Sequence, residues 1–315
     1  MELIKKEILI IIVNWNTKDM LKRCLDSIRL LDSGFETVIV DNNSSDGSNE
    51  MLKTYFSNFH LIFNSENLGY SKANNLAFKK FPDFKYYLLL NSDATVSNDS
   101  ILKMKETLVN NYRIAAVSPA LKLPTGELQI GGAGFGPNII SSFNTFFLLS
   151  RISPFFKGLY FFQKHYKKDK NIVFVNWLAF ACTMITNDSL KKVGYLDESY
   201  FVYGEDSDWC WRAKKMKYKI AYLPFVSAIH DVGASSEFKA TKSPNWFINL
   251  ANSIKKQGGK INYFFFLIFG LMGYSIRYIG YEIKRIVFIK KTSTYQMQTK
   301  MLFLTCVDLI LNKKR

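Results

Sequence analysis

Short apolar runs alternate with amphipathic helical patterns through the first part of the chain. Continuous apolar runs predict buried strands, and apolar residues that recur every three or four positions predict helices. The predicted strands cover residues 8–13, 38–40, 60–63, 86–90 and 114–117. Helices are expected between them, near residues 20–28, 48–56, 71–78 and 101–109. This alternation predicts an α/β fold with a doubly wound, mainly parallel sheet.

The alternation breaks between residues 126 and 171 and then resumes. Strand-like apolar runs follow at 172–186, 219–223 and 225–230, with a helix expected near 207–216. The glycine-rich stretch 131–136 lacks the G-x-G-x-x-G spacing, and Pro137 stands where that motif needs its last glycine, so a flexible loop is predicted. Residues 143–168, rich in Phe and Leu, are interpreted as a substrate-facing or membrane-facing insertion or as a helix packed on the core.

The last fifth of the chain is both apolar and basic. Its uncharged run, 261–276, is shorter than the roughly 20 residues that span a bilayer, and a second apolar segment covers 301–311. From residue 255 onwards, twelve Lys and Arg residues stand against only Glu282 and Asp308. This pattern predicts interfacial helices on an anionic membrane. Helices that complete the core or a dimer interface are the alternative, while nucleic acid binding would not need so continuous an apolar face.

Composition limits the class of protein without naming an activity. The 315 residues are 48% hydrophobic, which excludes a disordered chain, and the net charge is +16. Four scattered cysteines form no zinc motif, which favours free thiols in a reducing, cytosol-facing compartment. The predicted division is a sheet domain over 1–240, in halves 1–120 and 121–240, followed by a helical extension over 241–315.

Polar sequences follow four of the predicted strands. In doubly wound sheets, ligands bind at the carboxyl ends of the strands, so four polar loops at one edge predict a ligand site there. Each loop taken alone would be an ordinary turn. No phosphate-loop motif and no G-x-S-x-G motif occurs, which argues against a P-loop NTPase and an α/β-hydrolase.

An acidic cluster, Glu205, Asp206 and Asp208, lies between aromatic residues later in the chain. Like charges near apolar neighbours are costly, which indicates a base or a metal site, although acidic residues are also common in the first turn of a helix. Asp208 and Arg212 are four residues apart, so a surface ion pair is expected. Asp93 follows an apolar strand and can hold a divalent cation through oxygen, and His230 could add a nitrogen ligand, which would favour Mn²⁺.

Taken together, these motifs resemble family 2 glycosyltransferases of the GT-A fold, especially the bacterial rhamnosyltransferase-like branch. The resemblance covers residues 8–236 and is weaker over 126–171. Single motifs are weak, but their order along the chain is highly specific. They are I-I-V-N-W-N from Ile11, V-D-N-N-S-S-D-G from Val40, N-L-G-Y from Asn67, L-L-N-S-D from Leu89, V-G-Y-L-D-E from Val193, F-V-Y-G-E-D-S-D from Phe201, and His230.

The resemblance implies transfer of a sugar from a UDP- or dTDP-sugar to an acceptor hydroxyl, with inversion. Asp206 would be the general base and Glu205 its neighbour, which raises the base's pKa through like charge. Asp93 and His230 would hold Mn²⁺ or Mg²⁺ at the diphosphate. The residues implied in nucleotide-sugar binding are Asn14, Asn16, Asp41, Asn43, Asn67, Gly69, Asn74, Asn91, Ser92 and Asp93.

One position departs from the usual Asp-x-Asp metal motif, because Asn91 replaces the first aspartate. A catalytically inactive nucleotide-sugar-binding scaffold is therefore the alternative. The main expectation is an enzyme of bacterial surface polysaccharide synthesis, peripheral on the cytoplasmic face of the plasma membrane. Its acceptor would be a polyprenyl-diphosphate-linked glycan, and the halves 1–120 and 121–240 would bind nucleotide sugar and acceptor.

Overall fold

A computed structural model describes residues 6–30, 34–161, 171–231, 244–288 and 294–312. The strands are β1 (Ile8–Asn14), β2 (Phe35–Asp41), β3 (His60–Phe63), β4 (Tyr86–Leu90), β5 (Ala94–Val96), β6 (Ile114–Lys122), β7 (Ala133–Gly134), β8 (Val173–Val175), β9 (Trp177–Leu178), β10 (Cys182–Thr186) and β11 (Lys219–His230). The helices are α1 (Lys18–Arg29), α2 (Ser48–Tyr55), α3 (Gly69–Lys80), α4 (Asn98–Val109), α5 (Ile139–Phe146), α6 (Leu149–Ile152), α7 (Asn187–Val193), α8 (Glu205–Lys215), α9 (Asn245–Phe288) and α10 (Thr294–Ile310).

The chain divides into two compact units. The sheet unit lies within residues 1–133 and 163–236, and the helical unit lies within 134–162 and 237–315. Residues 134–162 therefore group with the C-terminal segment, and the predicted boundary after residue 240 stays a prediction.

The sheet unit is built on a mixed sheet, which has nine strands in the part of the chain that the structure describes. Its order is β3-β2-β1-β4-β10-β6-β11-β5, with β8 pairing on β11. The first four strands are parallel, whereas β10 runs antiparallel between β4 and β6. The strand–helix alternation of the first 90 residues thus forms one parallel half, as the pattern predicts.

Apolar burial on both faces fixes the parallel half. Alternate residues Ile8, Ile10 and Ile12 of β1 pack in the same core as Leu21 and Leu25 of α1. Each such side chain, fully buried, contributes on the order of 2 kcal/mol. Because β1 is held in this way, its last residue has a fixed position beside the last residue of β2 in the parallel register.

Several elements differ from the sequence prediction. The single strand-like run expected at 172–186 contains three strands, β8, β9 and β10. Strand β5 lies in a segment that was not predicted as a strand. The two strands expected at 219–223 and 225–230 are one strand, β11, whose pairing with β6 is interrupted between Leu223 and Ser227. Pro224 lies at this irregularity, where its missing N–H costs no ladder hydrogen bond. Helix α8 begins at Glu205, two residues earlier than predicted.

The helical unit has an aromatic core between α5 and α9. The Phe146 ring lies 5.2 to 6.5 Å, between centroids, from the rings of Phe247, Phe266 and Tyr274. The helical part of the 143–168 segment therefore packs on α9, and its residues 162–168 lie outside the described residues. Helix α9 changes direction at Gly259, whose φ of 84° is not helical.

Helix α9 also exposes apolar side chains. Within the described ranges, one helical segment, Asn245–Ile286, is long and apolar enough to cross a membrane by length and composition. Its exposed isoleucines recur at helical spacing, at positions 276, 279, 283 and 286, with exposures of 56 to 71%. We call these four residues the isoleucine stripe. Arg277, between the first two, donates instead to the backbone oxygen of Phe146 at 2.6 Å.

Candidate active site

The ends of β1 and β2 are joined by buried side chains. Nδ2 of Asn14 donates to Oδ2 of Asp41 at 2.6 Å and to the Ser44 hydroxyl at 3.0 Å. The backbone N–H of Ser44 donates to Oδ1 of Asp41 at 2.8 Å. Asn14 and Asp41 are both fully buried. They hold the first two polar loops in place, and the implied role of Asp41 in nucleotide-sugar binding stays a prediction.

Thr17 connects this pair to the loop after β4. Its hydroxyl donates to Oδ1 of Asn14 at 2.6 Å and lies 2.8 Å from the Ser92 hydroxyl. Thr17 occupies the N-cap position of α1, but its side chain makes no capping hydrogen bond. The Thr17 hydroxyl therefore connects the strand-end loops and does not cap the helix. The predicted residues Asn14, Asp41 and Ser92 therefore lie in one hydrogen-bonded group.

Asn16 and Asn43 are exposed members of the same two loops. Both adopt the left-handed backbone region, with φ of 52° and 63°, which asparagine tolerates better than most residues. Oδ1 of Asn16 accepts from the backbone N–H of Ser45 at 2.7 Å. These two side chains border the buried group on its solvent side.

Asn42 is a site residue that sequence reasoning missed. Its side chain is 1% exposed, donates to the backbone oxygen of Gly69 at 3.2 Å and accepts from Asn64 at 2.8 Å. The N-N pair after Asp41 was the available signal, but the sequence does not say which asparagine turns inward. Oδ1 of Asn67 accepts from the N–H of Gly69 at 2.9 Å, so Asn67 shapes the turn into α3.

Gly69 lets the loop that precedes α8 approach the start of α3 closely. Its φ is 77°, and a Cβ atom there would lie 2.5 Å from the backbone oxygen of Phe201. That oxygen accepts from the N–H of Tyr70 at 2.8 Å. One turn further along α3, Asn74 donates to the Tyr70 backbone oxygen at 2.9 Å, while its buried Oδ1 has no partner among the described residues. The start of α3 thus positions the segment that leads into Glu205.

Asp93 and His230 meet at the ends of β4 and β11. Oδ1 of Asp93 lies 3.2 Å from Nε2 of His230, and Asn91 Nδ2 lies 3.3 Å from the same nitrogen. Asp93 is 6% exposed and His230 8% exposed. The prediction that these two residues come together in space agrees with these distances.

This pair fits a divalent cation. Neither carboxylate oxygen of Asp93 makes a hydrogen bond within the described residues, although both are buried. Two ligands held about 2.1 Å from one octahedral cation, at right angles, lie about 3 Å apart. Among the described residues, no group of three or more His, Cys, Asp or Glu residues could hold a metal. A cation would therefore need further oxygen ligands from its substrate or from water.

Glu205 and Asp206 form the first turn of α8. The N–H of Ser207 donates to Oδ1 of Asp206 at 2.6 Å. Burial raises the pKa of Asp206 to about 6, with backbone hydrogen bonds acting in the opposite direction. Burial, and then the charge of Asp206, raise the pKa of Glu205 well above its usual value. With a pKa of about 6, Asp206 is largely ionised at neutral pH.

Asp208 has a structural role in the same helix, α8. It pairs with Arg212 at 2.8 Å, as the spacing predicts, but the expectation of a surface pair is wrong, because Asp208 is fully buried. Arg212 also donates to the backbone oxygens of Val193 and Tyr195 at 2.9 and 2.8 Å. The pair fastens α8 to the preceding loop.

Tyr70 relates the two halves of the site. Its hydroxyl donates to the backbone oxygen of Phe180 at 2.7 Å. Burial raises its pKa, followed by the charges of Glu205, Asp206 and Asp93. One buried phenol is therefore within electrostatic reach of the acidic pair on α8 and of the carboxylate at the end of β4. Tyr70 belongs to the N-L-G-Y motif, but nothing in the sequence indicates that its hydroxyl lies near these carboxyl groups.

Comparison with known protein families gives one match. The model of a family described as glycosyl transferase family 2 matches residues 9–176.

Two curated relatives extend beyond that region. The chain is 26% identical over 230 residues to the low-salt glycan biosynthesis hexosyltransferase Agl10 of Haloferax volcanii, covering 70% of this chain and 66% of that relative. It is 22% identical over 236 residues to the N-acetylglucosaminyl-diphospho-decaprenol L-rhamnosyltransferase of Mycobacterium tuberculosis, covering 70% and 75%.

Among solved structures, GalNAc-T7 with UDP, GalNAc and Mn²⁺ is similar, with a TM-score of 0.57 at 14% identity. The likeness covers 79% of this chain and 47% of GalNAc-T7, so the chain spans about half the length of that neighbour. At this identity the likeness concerns the fold.

Proposed function

Because this chain belongs to glycosyl transferase family 2, we propose that it transfers a sugar from a UDP- or dTDP-sugar to a hydroxyl of a lipid-linked glycan, with inversion. The buried pair of Asp93 and His230, 3.2 Å apart, carries the proposal, since the carboxylate oxygens of Asp93 have no hydrogen-bond partner among the described residues. A base for the acceptor and a carboxylate for the donor diphosphate belong in one pocket in such a reaction.

Asp206 is the proposed general base. As the acceptor oxygen attacks the anomeric carbon, its proton passes to the carboxylate of Asp206 while the bond to the nucleoside diphosphate breaks. A base whose pKa is about 6 is ionised at neutral pH and still basic enough to take a proton. Glu205, the neighbouring carboxyl, has its own pKa raised by burial and by the charge of Asp206.

Asp93 and His230 are the residues that would hold a divalent cation, Mn²⁺ or Mg²⁺. When bound, such a cation supplies a Lewis acid that stabilises the negative charge of the departing diphosphate. Two ligand residues make a sparse set, so uptake of the cation would depend on oxygens of the donor diphosphate. Asn91 contributes an amide at this position, and its nitrogen contacts Nε2 of His230 instead of adding a carboxylate.

The polar strand-end loops form the proposed nucleotide-sugar pocket. Asn14, Asp41 and Ser92 would keep its floor rigid through their buried hydrogen bonds. The exposed Asn16 and Asn43 would contact the nucleotide directly. Asn67, Gly69 and Asn74 would form the wall at the start of α3. The buried Oδ1 of Asn74, which has no partner within the described part of the chain, would accept a hydrogen bond there.

The acceptor is proposed to be a polyprenyl-diphosphate-linked glycan at the cytoplasmic face of the plasma membrane, as part of bacterial surface polysaccharide synthesis. The decaprenol-linked substrate in the name of the mycobacterial relative supports this class of acceptor. The apolar and basic character of α9 supports a peripheral membrane position. Helix α9 carries six Lys and Arg residues against one Glu, so two copies would repel each other where anionic lipid would attract.

The test uses the purified full chain with Mn²⁺ and a panel of UDP-, dTDP- and GDP-sugars. Donor hydrolysis identifies the donor, and transfer to a polyprenyl-diphosphate-linked sugar identifies the acceptor. Asp206→Asn should lower kcat by about 10²- to 10⁴-fold. Glu205→Gln is the matched control, because it replaces the neighbouring carboxyl of the same helical turn and leaves Asp206 in place, and its kcat should fall far less. Undiminished transfer by the Asp206→Asn protein would rule out the base assignment.

A nucleotide-sugar-binding scaffold without catalysis is the second candidate. The specific observation in its favour is Asn91, which leaves one carboxylate where the usual motif has two. Tight binding of a nucleotide sugar without hydrolysis or transfer, for every donor and with either cation, would favour the scaffold.

A further inference from the structure

Gln129 contacts His230 from the side opposite to Asp93. Oε1 of Gln129 lies 2.9 Å from Nδ1 of His230, and the two side chains are 9% and 8% exposed. The other ring nitrogen, Nε2, lies near Asp93 and Asn91. His230 therefore has a defined hydrogen-bonding neighbour at each ring nitrogen, and Gln129 belongs to no motif singled out in the sequence.

These contacts select one tautomer of the imidazole. An amide oxygen can only accept, so the hydrogen of the neutral ring must be on Nδ1, facing Gln129. The amide nitrogen of Asn91 can only donate, so Nε2 must present its lone pair. Both amide contacts therefore place the hydrogen on Nδ1, and the unprotonated Nε2 has no hydrogen to donate to Asp93. Oδ1 of Asp93, the carboxylate oxygen 3.2 Å from Nε2, correspondingly has no donor among the described residues.

The backbone fixes Gln129 in this place. Its N–H donates to the backbone oxygen of Leu121 at 2.9 Å, at the end of a hairpin in which Lys122 bridges to Leu128. Leu121 is paired with Ala228 in the β6–β11 register, two residues before His230. The hairpin after β6 thus brings Gln129 beside the end of β11 through backbone hydrogen bonds alone.

We propose that Gln129 is a positioning residue, which holds His230 in the Nδ1–H tautomer so that Nε2 and Asp93 together can take up a divalent cation. The inference rests on the proposed function for its biological meaning, but its chemistry concerns only these side chains. Histidines that bind metals usually donate their other ring N–H to a fixed acceptor, and loss of that acceptor typically weakens metal binding about 10- to 100-fold. Without Gln129, the ring could place its hydrogen on Nε2 and donate it to Asp93. Nε2 would then have no lone pair with which to bind a cation.

The first test is the tautomer itself, read from long-range ¹H–¹⁵N correlations of the full chain labelled at histidine. The chain has three histidines, so His60→Gln and His230→Gln variants assign the signals. At about pH 8, where an ordinary imidazole is neutral, Nε2 of His230 should show the shift of an unprotonated nitrogen. A protonated Nε2 in the unmodified protein would mean that the Gln129 amide is turned over, and would overturn the proposal.

The second test measures cation binding in the absence of turnover. Free Mn²⁺ is followed by its paramagnetic resonance signal, with protein alone and with protein plus UDP. Gln129→Met, which keeps the side-chain length but removes the acceptor, should weaken Mn²⁺ binding about 10- to 100-fold. Gln129→Glu keeps an acceptor oxygen and should bind Mn²⁺ within a few-fold of the unmodified protein.

Equal Mn²⁺ affinity in the Gln129→Met and unmodified proteins, with both folded by circular dichroism, would overturn the positioning role. If Gln129→Met does not fold, the tautomer measured in the unmodified protein still decides. These measurements need no sugar transfer. A protein that binds Mn²⁺ as described but transfers no sugar would contradict the proposed function and support the role of Gln129.

Discussion

At the scale of single residues, the two adjacent carboxyl groups of α8 both have raised pKa values, for partly different reasons. Glu205 is buried and lies beside the charge of Asp206, and both effects raise its pKa well above the usual value. Asp206 is partly buried, and backbone hydrogen bonds limit its rise to about 6. The two carboxyl groups of one helical turn therefore have different environments, and such differences can separate the roles of an acid and a base.

The charge state of Asp206 predicts the pH dependence of activity. A base must be deprotonated to accept a proton, and the ionised fraction of Asp206 falls as the pH drops through its pKa. We expect kcat/KM for donor and acceptor to be level near neutral pH and to fall about tenfold per pH unit below about pH 6. A rate profile from pH 5 to 8 checks this. A profile that stays level down to pH 5 would contradict Asp206 as the base.

The buried ion pair of Asp208 and Arg212 should matter for stability. Arg212→Met would remove the cation that pairs with a fully buried carboxylate, which costs on the order of 3 kcal/mol in the free energy of unfolding. Urea denaturation followed by tryptophan fluorescence measures this.

Lys22→Met is the matched control for that variant. Lys22 and Asp26 are also four residues apart on one helix and 2.6 Å apart, but both side chains are about half exposed. Exposed pairs contribute little, so the loss should be at most about 0.5 kcal/mol. Equal effects of the two substitutions would show that burial does not distinguish the pairs.

At the scale of elements, the start of α3 holds the loop before α8. Gly69→Ala combines a left-handed backbone with a Cβ atom 2.5 Å from the Phe201 oxygen. Since that oxygen is backbone, the whole loop must move, and Glu205 and Asp206 move with it. We expect kcat to fall at least about tenfold, since small misplacements of reacting groups are costly.

Gly126→Ala separates the two causes. Gly126 has φ of 83° but nothing within 4 Å of the added Cβ. The alanine substitution there costs only the backbone strain of about 1 to 2 kcal/mol. Its stability should fall while kcat is retained. If both variants lost activity equally, the close approach of Phe201 to Gly69 would not be the cause.

Element prediction from the sequence succeeded where burial repeats regularly. The predicted GT-A-type α/β fold is confirmed, and strands β3 and β4 have the predicted bounds, because both lie between clear turn sequences. Strand β5 was missed because three residues give too short a pattern, and its pairing partner, β11, lies more than 120 residues away in sequence. The start of α8 was placed too late because Glu205 and Asp206 were assigned to the preceding loop.

At the scale of the whole molecule, the helical unit exposes an apolar surface together with basic residues. The isoleucine stripe follows one face of α9, and exposed lysines lie nearer its beginning, at 255, 256 and 260. An apolar face with flanking cations is typical of helices that lie in a membrane interface. The exposed lysines give a direct test of the proposed peripheral membrane position.

Replacing Lys255, Lys256 and Lys260 by glutamine should weaken binding to anionic vesicles. Each cation near an anionic surface contributes about 1 kcal/mol, so loss of three should lower the affinity about 100-fold. Co-sedimentation with vesicles of phosphatidylglycerol and phosphatidylcholine measures it. The control replaces the exposed Lys53, Lys191 and Lys192 of the sheet unit by glutamine, with the same change in net charge. Equal losses would indicate attraction by net charge alone and contradict a docking surface on α9.

The sequence by itself determined the family, the parallel half of the sheet and the order of the polar loops. These depend on local patterns, since burial imposes the periods of strands and helices and turn residues mark their ends. It also selected Asp93, His230, Glu205 and Asp206 as candidates, because carboxylate and imidazole groups are few and chemically distinctive.

Only the tertiary structure decided what each of these groups contacts. Asn14 and Asp41 are fully buried, Asp208 is buried with Arg212, and Gln129 lies against His230. The physical reason is that hydrogen bonding and burial depend on neighbours far apart in sequence, such as Gln129 and His230, which are 101 residues apart. A glutamine after a turn carries no local signal that it fixes a distant imidazole, and only the pairing of β6 with β11 brings the two together.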